Sequence, residues 1–187
     1  MPRGKLVVIS APSGAGKTTI ARAVLAAYPT LGFSVSATTR ARRAGEVQGR
    51  DYWFLTREEF QAKIDAGDFV EWEEIYGDLY GTLKEQVDHA LRDGRHLLFD
   101  VDVKGGLSIK KRYPEACTIF IRPPSVDALL ERLRHRKTEG TETIARRMER
   151  VPMELSLCVG FEHQVVNDDL ERALREVNTI VGIYLTN

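Results

Sequence analysis

Nowhere does this chain carry an apolar run approaching the roughly 20 residues that a bilayer-spanning helix needs. Its opening, MPRGKLVVIS, holds no stretch long enough for a secretory h-region. These absences point to a soluble, cytoplasmic protein. An excess of one charge is missing too: 27 Lys and Arg face 27 Asp and Glu. No global field therefore favours nucleic acid or a membrane, and any electrostatic function is local. Cysteine is scarce, and Cys117 and Cys158 stand far apart among apolar neighbours. That is the pattern of buried thiols in a reducing compartment rather than of a disulfide or a metal centre. His89, His96, His135 and His163 share no ligand spacing. Repeats and low-complexity tracts are lacking as well, and 187 residues suit one domain with small insertions.

What the chain does have is alternation. β-rich runs at Leu6 to Ser10, His96 to Asp102 and Cys117 to Ile121 are followed by helical patterns at Lys17 to Tyr28, Gly105 to Arg112 and Val126 to Arg136. This predicts an α/β fold, a parallel sheet wrapped by helices. Near-continuous apolar runs such as LVVI and TIFI suit strands covered on both faces. Val165 to Asn167 reads as a last strand, and the stripe from Leu170 to Tyr184 as a closing helix. Two segments break the rhythm. One, from about Phe33 to Leu91, mixes short strands with two helices, the first opening on a capping box of Thr56 and Glu59. It reads as an inserted subdomain. The other, Arg134 to Arg147, is charge-dense around Gly140 and reads as a mobile flap.

The strand LVVIS runs into Ala11-Pro12-Ser13-Gly14-Ala15-Gly16-Lys17-Thr18-Thr19 and then a helix, the context that a phosphate-binding loop requires. Backbone N–H groups of Ser13 to Gly16 can converge on an anion at a helix N-terminus, where the dipole favours negative charge. Lys17 adds a full charge over the β and γ phosphates of a nucleotide, and the Thr18 hydroxyl suits a ligand of Mg²⁺. Ala11 stands where the pattern GxxxxGK[ST] has glycine, which is tolerable while φ stays negative. The plain alternative is a flexible glycine turn.

A second anion site is readable downstream. Arg40 and Arg43 lie in a Ser/Thr-rich loop, with Tyr52 and Tyr80 following. Guanidinium forks and phenolic hydroxyls can grip a monophosphate, although a solvated basic loop has the same composition. Glu71 sits in the alternating run FVEWEE. A carboxylate there can accept from guanine N1–H and the 2-amino group, with Ser36 and Thr82 donating to O6 and Asp102 taking a further amino hydrogen. Such complementarity rejects a wrong base, because mismatched buried groups stay unpaired. Glu71 can equally be an ordinary surface carboxylate. Asp100, ending an apolar run, suits an outer-shell Mg²⁺ carboxylate reached through water, or simply caps the next turn.

Taken together, APSGAGKTT, FSVSATTRARRAGEVQGRDYWF, FVEWEEIYGDLYGT, LLFDVDVKGG, IRPPSVDALLERL and VVNDDLERA resemble the guanylate kinase family, in the family's order and over nearly the whole chain. The resemblance implies a P-loop NTPase-type parallel sheet core flanked by helices (1–33, 92–133 and 150–187), a small mixed α/β GMP-binding insertion (34–91) and a helical lid (134–149). It implies the reaction ATP + GMP giving ADP + GDP, with dGMP as a further acceptor, a step of purine metabolism that uses Mg²⁺. Ser36, Arg40, Arg43, Tyr52, Glu71, Tyr80, Thr82 and Asp102 match its GMP contacts. Arg132, Arg136 and Arg147 match its lid arginines, and Asn167 with Asp168 falls where the family holds the ATP base.

Catalysis on this reading is alignment and electrostatics. Lys17, Mg²⁺ and the lid arginines stabilise the migrating phosphoryl group while Arg40 and Arg43 hold the acceptor in line. Arg132 and Arg136, four apart, can share one helix face. Departures are RKTEGTET where the family has RGTET at the lid tip, Lys104 in place of a usual Gln, and Pro152, read as a hinge. Expected partners are ATP and GMP alone, without nucleic acid, membrane or an obligatory protein. Rival readings are a non-catalytic phosphopeptide-binding relative and a kinase for another nucleoside monophosphate. The intact Lys17 and Thr18 oppose the first, and the paired carboxylates Glu71 and Asp102 oppose the second.

Overall fold

A computed structural model describes residues 3–135 and 141–186. Strand β1 (Leu6–Ser10) leads into α1 (Lys17–Ala27), β2 (Leu31–Phe33), β3 (Ala37–Thr38) and β4 (Trp53–Phe54). Then come α2 (Arg57–Asp65), β5 (Phe69–Ile75), β6 (Asp78–Leu83) and α3 (Lys84–Arg92). The second half holds β7 (His96–Asp100), α4 (Val103–Arg112), β8 (Cys117–Arg122), α5 (Val126–His135) and α6 (Thr141–Ser156). A 3-10 turn (Leu157–Gly160), β9 (His163–Val166) and α7 (Leu170–Thr186) close the chain. No helix among the described residues is long and apolar enough to cross a membrane.

The core sheet has the order β2-β7-β1-β8-β9, and every neighbouring pair is parallel. Period-two alternation divides β1 between the two covered faces. Val7 and Ile9 pack with Ile20 and Val24 of α1 and Val177 and Val181 of α7. Leu6 and Val8 pack with Val87 and Leu91 of α3 and Ile109 of α4. Each such side chain contributes about 1.5–3 kcal/mol when fully buried. Because the strands are parallel, β1 and β7 end on the same side. The phosphate-loop segment and Asp100 are thereby brought to one edge, where open α/β sheets bind ligands.

The inserted region builds a second sheet, β4-β3-β6-β5, antiparallel except where β3 pairs β4. Its own small core is Ala37, Phe60, Phe69 and Leu79, with the Phe60 and Phe69 rings stacked at 4.4 Å between centroids. Helix α2 starts at the expected capping box: Thr56 Oγ1 accepts from Glu59 N–H at 3.1 Å, and Glu59 Oε2 accepts from Thr56 N–H at 2.7 Å. Strand β5 lies against α4, so the insertion overhangs the sheet edge.

Three boundaries differ from expectation. Strand β7 stops at Asp100 and α4 starts at Val103, because Asp102 Oδ1 accepts from Gly105 N–H at 2.9 Å and caps the helix. Strand β9 starts at His163, paired with Ile119; its exposed polar residues hide the strand pattern. Helix α6 continues through Pro152, which is exposed, to Ser156. Arg136 and the rest of the lid tip lie outside the described residues.

Candidate active site

The segment after β1 makes the tight approach that its glycines suggest. Gly14 and Gly16 have φ of 91° and 96°, a region costly for other residues. Among the described residues Tyr76 is the single non-glycine with positive φ. Ala11 is therefore free of that strain, which is why alanine suffices there. Ala15 N–H donates to Pro12 C=O at 3.1 Å, closing the turn. Lys17 Nζ lies 2.5 Å from Asp100 Oδ1 and donates to Val101 C=O at 3.0 Å, while Thr18 Oγ1 donates to Asp100 Oδ2 at 3.1 Å. Thr18 and Thr19 are exposed at the start of α1. Thr18 and Asp100 together offer hard oxygen donors beside the loop, a donor set that fits Mg²⁺.

Several residues from the second half brace this loop. Arg147 on α6 donates to Ser13 Oγ at 2.5 Å. Asn167 Nδ2 donates to Ala15 C=O at 2.8 Å, and Arg132 on α5 donates to Asn167 C=O at 2.8 Å. Asn167 is buried with its amide committed to the loop, and the exposed Asp168 pairs with Arg172. Arg132, Arg147 and Asn167 thus converge on the phosphate loop.

The insertion supplies the opposite wall. A cleft of about 180 Å³ is lined by Lys17 and Asp100 on the core side, with Ser36, Tyr52, Tyr80, Glu71 and Asp102 around it. Glu71 Oε1 accepts from the buried Thr82 hydroxyl at 2.6 Å. A Cβ on Gly105 would lie 2.8 Å from Glu71 Oε2 and 2.9 Å from Asp102 Oδ1. Both carboxylates therefore crowd the first turn of α4, where only glycine leaves them room. Burial pushes the Glu71 carboxyl up to about 7. Burial, then the neighbouring Glu73, pushes Asp102 up to about 7. Burial also raises Glu73, but hydrogen bonds with Asp102 and Lys104 and the charge of Arg150 leave it below its ordinary range.

The arginine loop stands beside this cleft. Arg40 donates to Glu46 Oε1 and to Ala41 C=O, both at 2.7 Å, and its guanidinium lies 5.3 Å from the Tyr52 ring centroid. The Tyr52 and Tyr80 rings meet edge-on at 6.2 Å. Hydrogen bonding to Glu46 raises the Arg40 pKa, so this fork is a fixed cation. Arg43 is exposed and its N–H donates to the other oxygen of Glu46 at 2.8 Å. With Thr18, Tyr52 and Asp100, Arg43 lines an adjoining cleft of about 520 Å³. Tyr52 and Asp100 border both clefts, so they adjoin.

Some neighbours escaped the sequence reading. Arg150, three residues after Arg147, reaches Glu73 Oε1 at 3.2 Å and Asp102 Oδ2 at 3.4 Å. Glu73 shares the face of Glu71 by period two, and that signal was available. Cys117, Glu162 and His163 place ligand atoms within 4.8 Å of one another because β8 and β9 are adjacent. There, however, Lys110 occupies Glu162 at 2.7 Å, and burial pushes the Cys117 thiol up to about 12, a poor start for a metal centre.

Comparison with known proteins agrees with this geometry. The family model described as guanylate kinase matches residues 3–183. The guanylate kinase of Salinibacter ruber is 49% identical over 189 residues, covering 100% of both chains. That of Symbiobacterium thermophilum is 42% identical over 180 residues, 96% of this chain and 85% of the relative. The crystal structure of guanylate kinase from Anaplasma phagocytophilum superposes with a TM-score of 0.77 at 30% identity, covering 98% of this chain and 87% of that one. The chain belongs to the guanylate kinase family.

Proposed function

We propose that this chain transfers the γ-phosphoryl group of ATP to GMP, and to dGMP, giving ADP and the nucleoside diphosphate. One observation carries the reading: Lys17 of the phosphate loop and the partly buried carboxylates Glu71 and Asp102 line a single cleft. Donor phosphates and an acceptor base with adjacent N–H groups therefore belong to one site. The acceptor insertion spans 34–91 and the lid 134–149, on the core formed by the rest.

Ionised Glu71 accepts from guanine N1–H and the 2-amino group, Asp102 takes the other amino hydrogen, Ser36 donates to O6, and Thr82 turns its one hydroxyl hydrogen from Glu71 to O6 as the guanine N–H groups take its place. Adenine presents bare acceptors at N1 and N3, and its binding would leave these carboxylates buried without donors, at about 1–3 kcal/mol or more each. Arg40 and Arg43, with Tyr52 and Tyr80, hold the acceptor phosphate. Arg40 exchanges Glu46 for a dianion in doing so. Amides of Ser13 to Gly16 hold the donor phosphates, with Ala11, Pro12 and Thr19 framing the loop and Asn167 and Asp168 beside the ATP base. Thr18, and Asp100 through water, would hold Mg²⁺, which when bound neutralises phosphate oxygens. Lys17, Arg132, Arg136 and Arg147 stabilise charge on the migrating group, and no side chain needs to attack it. Overhang of the insertion keeps water from competing with GMP.

An ADP-release assay with GMP, dGMP, AMP, CMP and UMP tests this. GMP and dGMP should stimulate ATP turnover far above background while the others do not. Turnover of ATP that is identical with and without GMP removes the acceptor assignment.

A further inference from the structure

The acceptor cleft has a ceiling that the mechanism above does not use. Arg150 projects from α6 onto β5 and the start of α4, its Nη2 reaching Glu73 Oε1 at 3.2 Å and Asp102 Oδ2 at 3.4 Å. Its Nε faces Glu154 Oε1 at 3.5 Å, and its guanidinium lies 5.7 Å from the Tyr76 ring centroid. The Arg150 side chain is only 19% exposed, so these pairs are not the freely screened kind found on surfaces. Lys104 binds the same Glu73 oxygen at 3.0 Å. Asp102 is gripped at both ends, since its other oxygen accepts from Gly105 N–H at 2.9 Å.

Two carboxylates with ordinary freedom would swing apart when brought this close. Here Glu73 and Asp102 stay side by side because one guanidinium nitrogen, Nη2, lies between their oxygens, while Nε of the same planar group is directed at Glu154 and so fixes where Nη2 can sit. Asp102 in turn faces the cleft that Glu71 shares. A carboxylate discriminates between bases only while its lone pairs keep hydrogen-bond geometry to the hydrogens it must accept.

We propose that Arg150 is a positioning residue for acceptor-base selection: by bridging Glu73 and Asp102 from α6, it fixes the direction in which the Asp102 carboxylate meets the purine 2-amino group. This rests on reading the cleft as the guanine pocket. Arg150 touches neither substrate and acts through Asp102 alone. Discrimination between GMP and IMP, which lacks that amino group, is therefore the property it sets.

The test compares kcat/KM for GMP and IMP at saturating ATP in the parent, Arg150→Met, Arg150→Lys and Asp102→Asn, with ATP KM and melting temperature measured alongside. Arg150→Met should lower the GMP-over-IMP ratio about tenfold, the scale of one misplaced charged hydrogen bond, chiefly through a higher GMP KM. Its ATP KM should stay within about twofold, as expected for a contact remote from the donor. Arg150→Lys should recover part of the ratio, because an ammonium can sit between both carboxylates as Nη2 does but has no second nitrogen to anchor on Glu154. An unchanged ratio with only a lower melting temperature makes Arg150 a structural staple and overturns the proposal. Should Arg150→Met fail to fold, a parental ratio in Arg150→Lys overturns it equally. Asp102→Asn separates the two levels. A ratio unmoved by Asp102→Asn defeats the pocket reading itself, whereas one that falls there but not in Arg150→Met defeats only the role of Arg150.

Discussion

Lys17 and Asp100 form an ion pair at 2.5 Å, with the Thr18 hydroxyl on the second oxygen of the same carboxylate. The end of β7 thus pre-aims the phosphate-loop lysine before any nucleotide arrives. Lys17→Met should lower kcat about 100- to 1000-fold, the range for losing one preorganised charge-stabilising donor. The fold should survive at a cost of about 1–3 kcal/mol for the Asp100 oxygen left without its partner, since Asn167 and Arg147 still brace the loop. Steady-state kinetics beside a melting curve checks both. A rate near the parent's would remove Lys17 from the chemistry.

Glu71 should give acceptor use an acid limb near neutrality. Guanine offers donors, so only the ionised carboxylate serves, and burial lifts this group from 4.5 to about 7. The kcat/KM for GMP should fall as pH drops through 7, with the similarly raised Asp102 steepening the limb, while ATP KM stays flat. Stability has the opposite sign. A carboxyl bound more tightly to its proton in the folded state contributes stability that is full below about 4.5 and lost as pH rises to about 7. Glu71→Gln should therefore melt higher than the parent at pH 8, by about 3 kcal/mol at most, and equally at pH 4, while losing GMP selectivity.

Local signals carried most of the fold into view. The run LVVIS, the helix after Gly16 and the box at Thr56 and Glu59 each form from residues close in sequence, and each appears where their pattern places it. What stayed hidden is made by chain-distant partners. Arg150 meets Asp102 and Glu73 across 48 and 77 residues, and no period marks such a pairing. Lys104 looked like a departure from the family pattern, yet its ammonium is the second cation on Glu73. Asn167 was legible as a site residue, but not the commitment of its amide to Ala15.

Gly16 separates conformational from steric demands in the phosphate loop. Its φ is 96°, and an added Cβ would lie 2.5 Å from Asn167 Nδ2. Gly67 has φ 70° with nothing within 4 Å. Gly67→Ala should cost about 1–2 kcal/mol of backbone strain and leave nucleotide binding alone. Gly16→Ala carries that strain and also displaces the Asn167 brace, so ATP affinity should fall at least tenfold. Calorimetric titration of a non-hydrolysable ATP analogue into both variants checks the contrast, and equal affinities would show that the brace is dispensable.

The insertion is held by few apolar side chains, and Phe60 is central among them. It is fully buried, stacked on Phe69, in a cluster otherwise formed by Ala37 and Leu79 with partly buried neighbours. Phe60→Ala should cost about 3–5 kcal/mol, a large share of what so small a core can supply. The parallel sheet buries a separate set of residues around β1, so the loss should stay within the insertion. Tyr52, Glu71, Tyr80 and Thr82 all stand on or beside its strands, and GMP affinity should fall by about a hundredfold or more as that sheet opens in the unliganded protein. ATP-analogue affinity should change little, because residues 11 to 19 are seated on the core. Hydrogen exchange would register the difference directly, with protection lost in α2, β5 and β6 and retained in β1, β7 and β8. Uniform loss across both sheets would mean that the two cores unfold as one unit, and the acceptor site would then have no independent stability to lose.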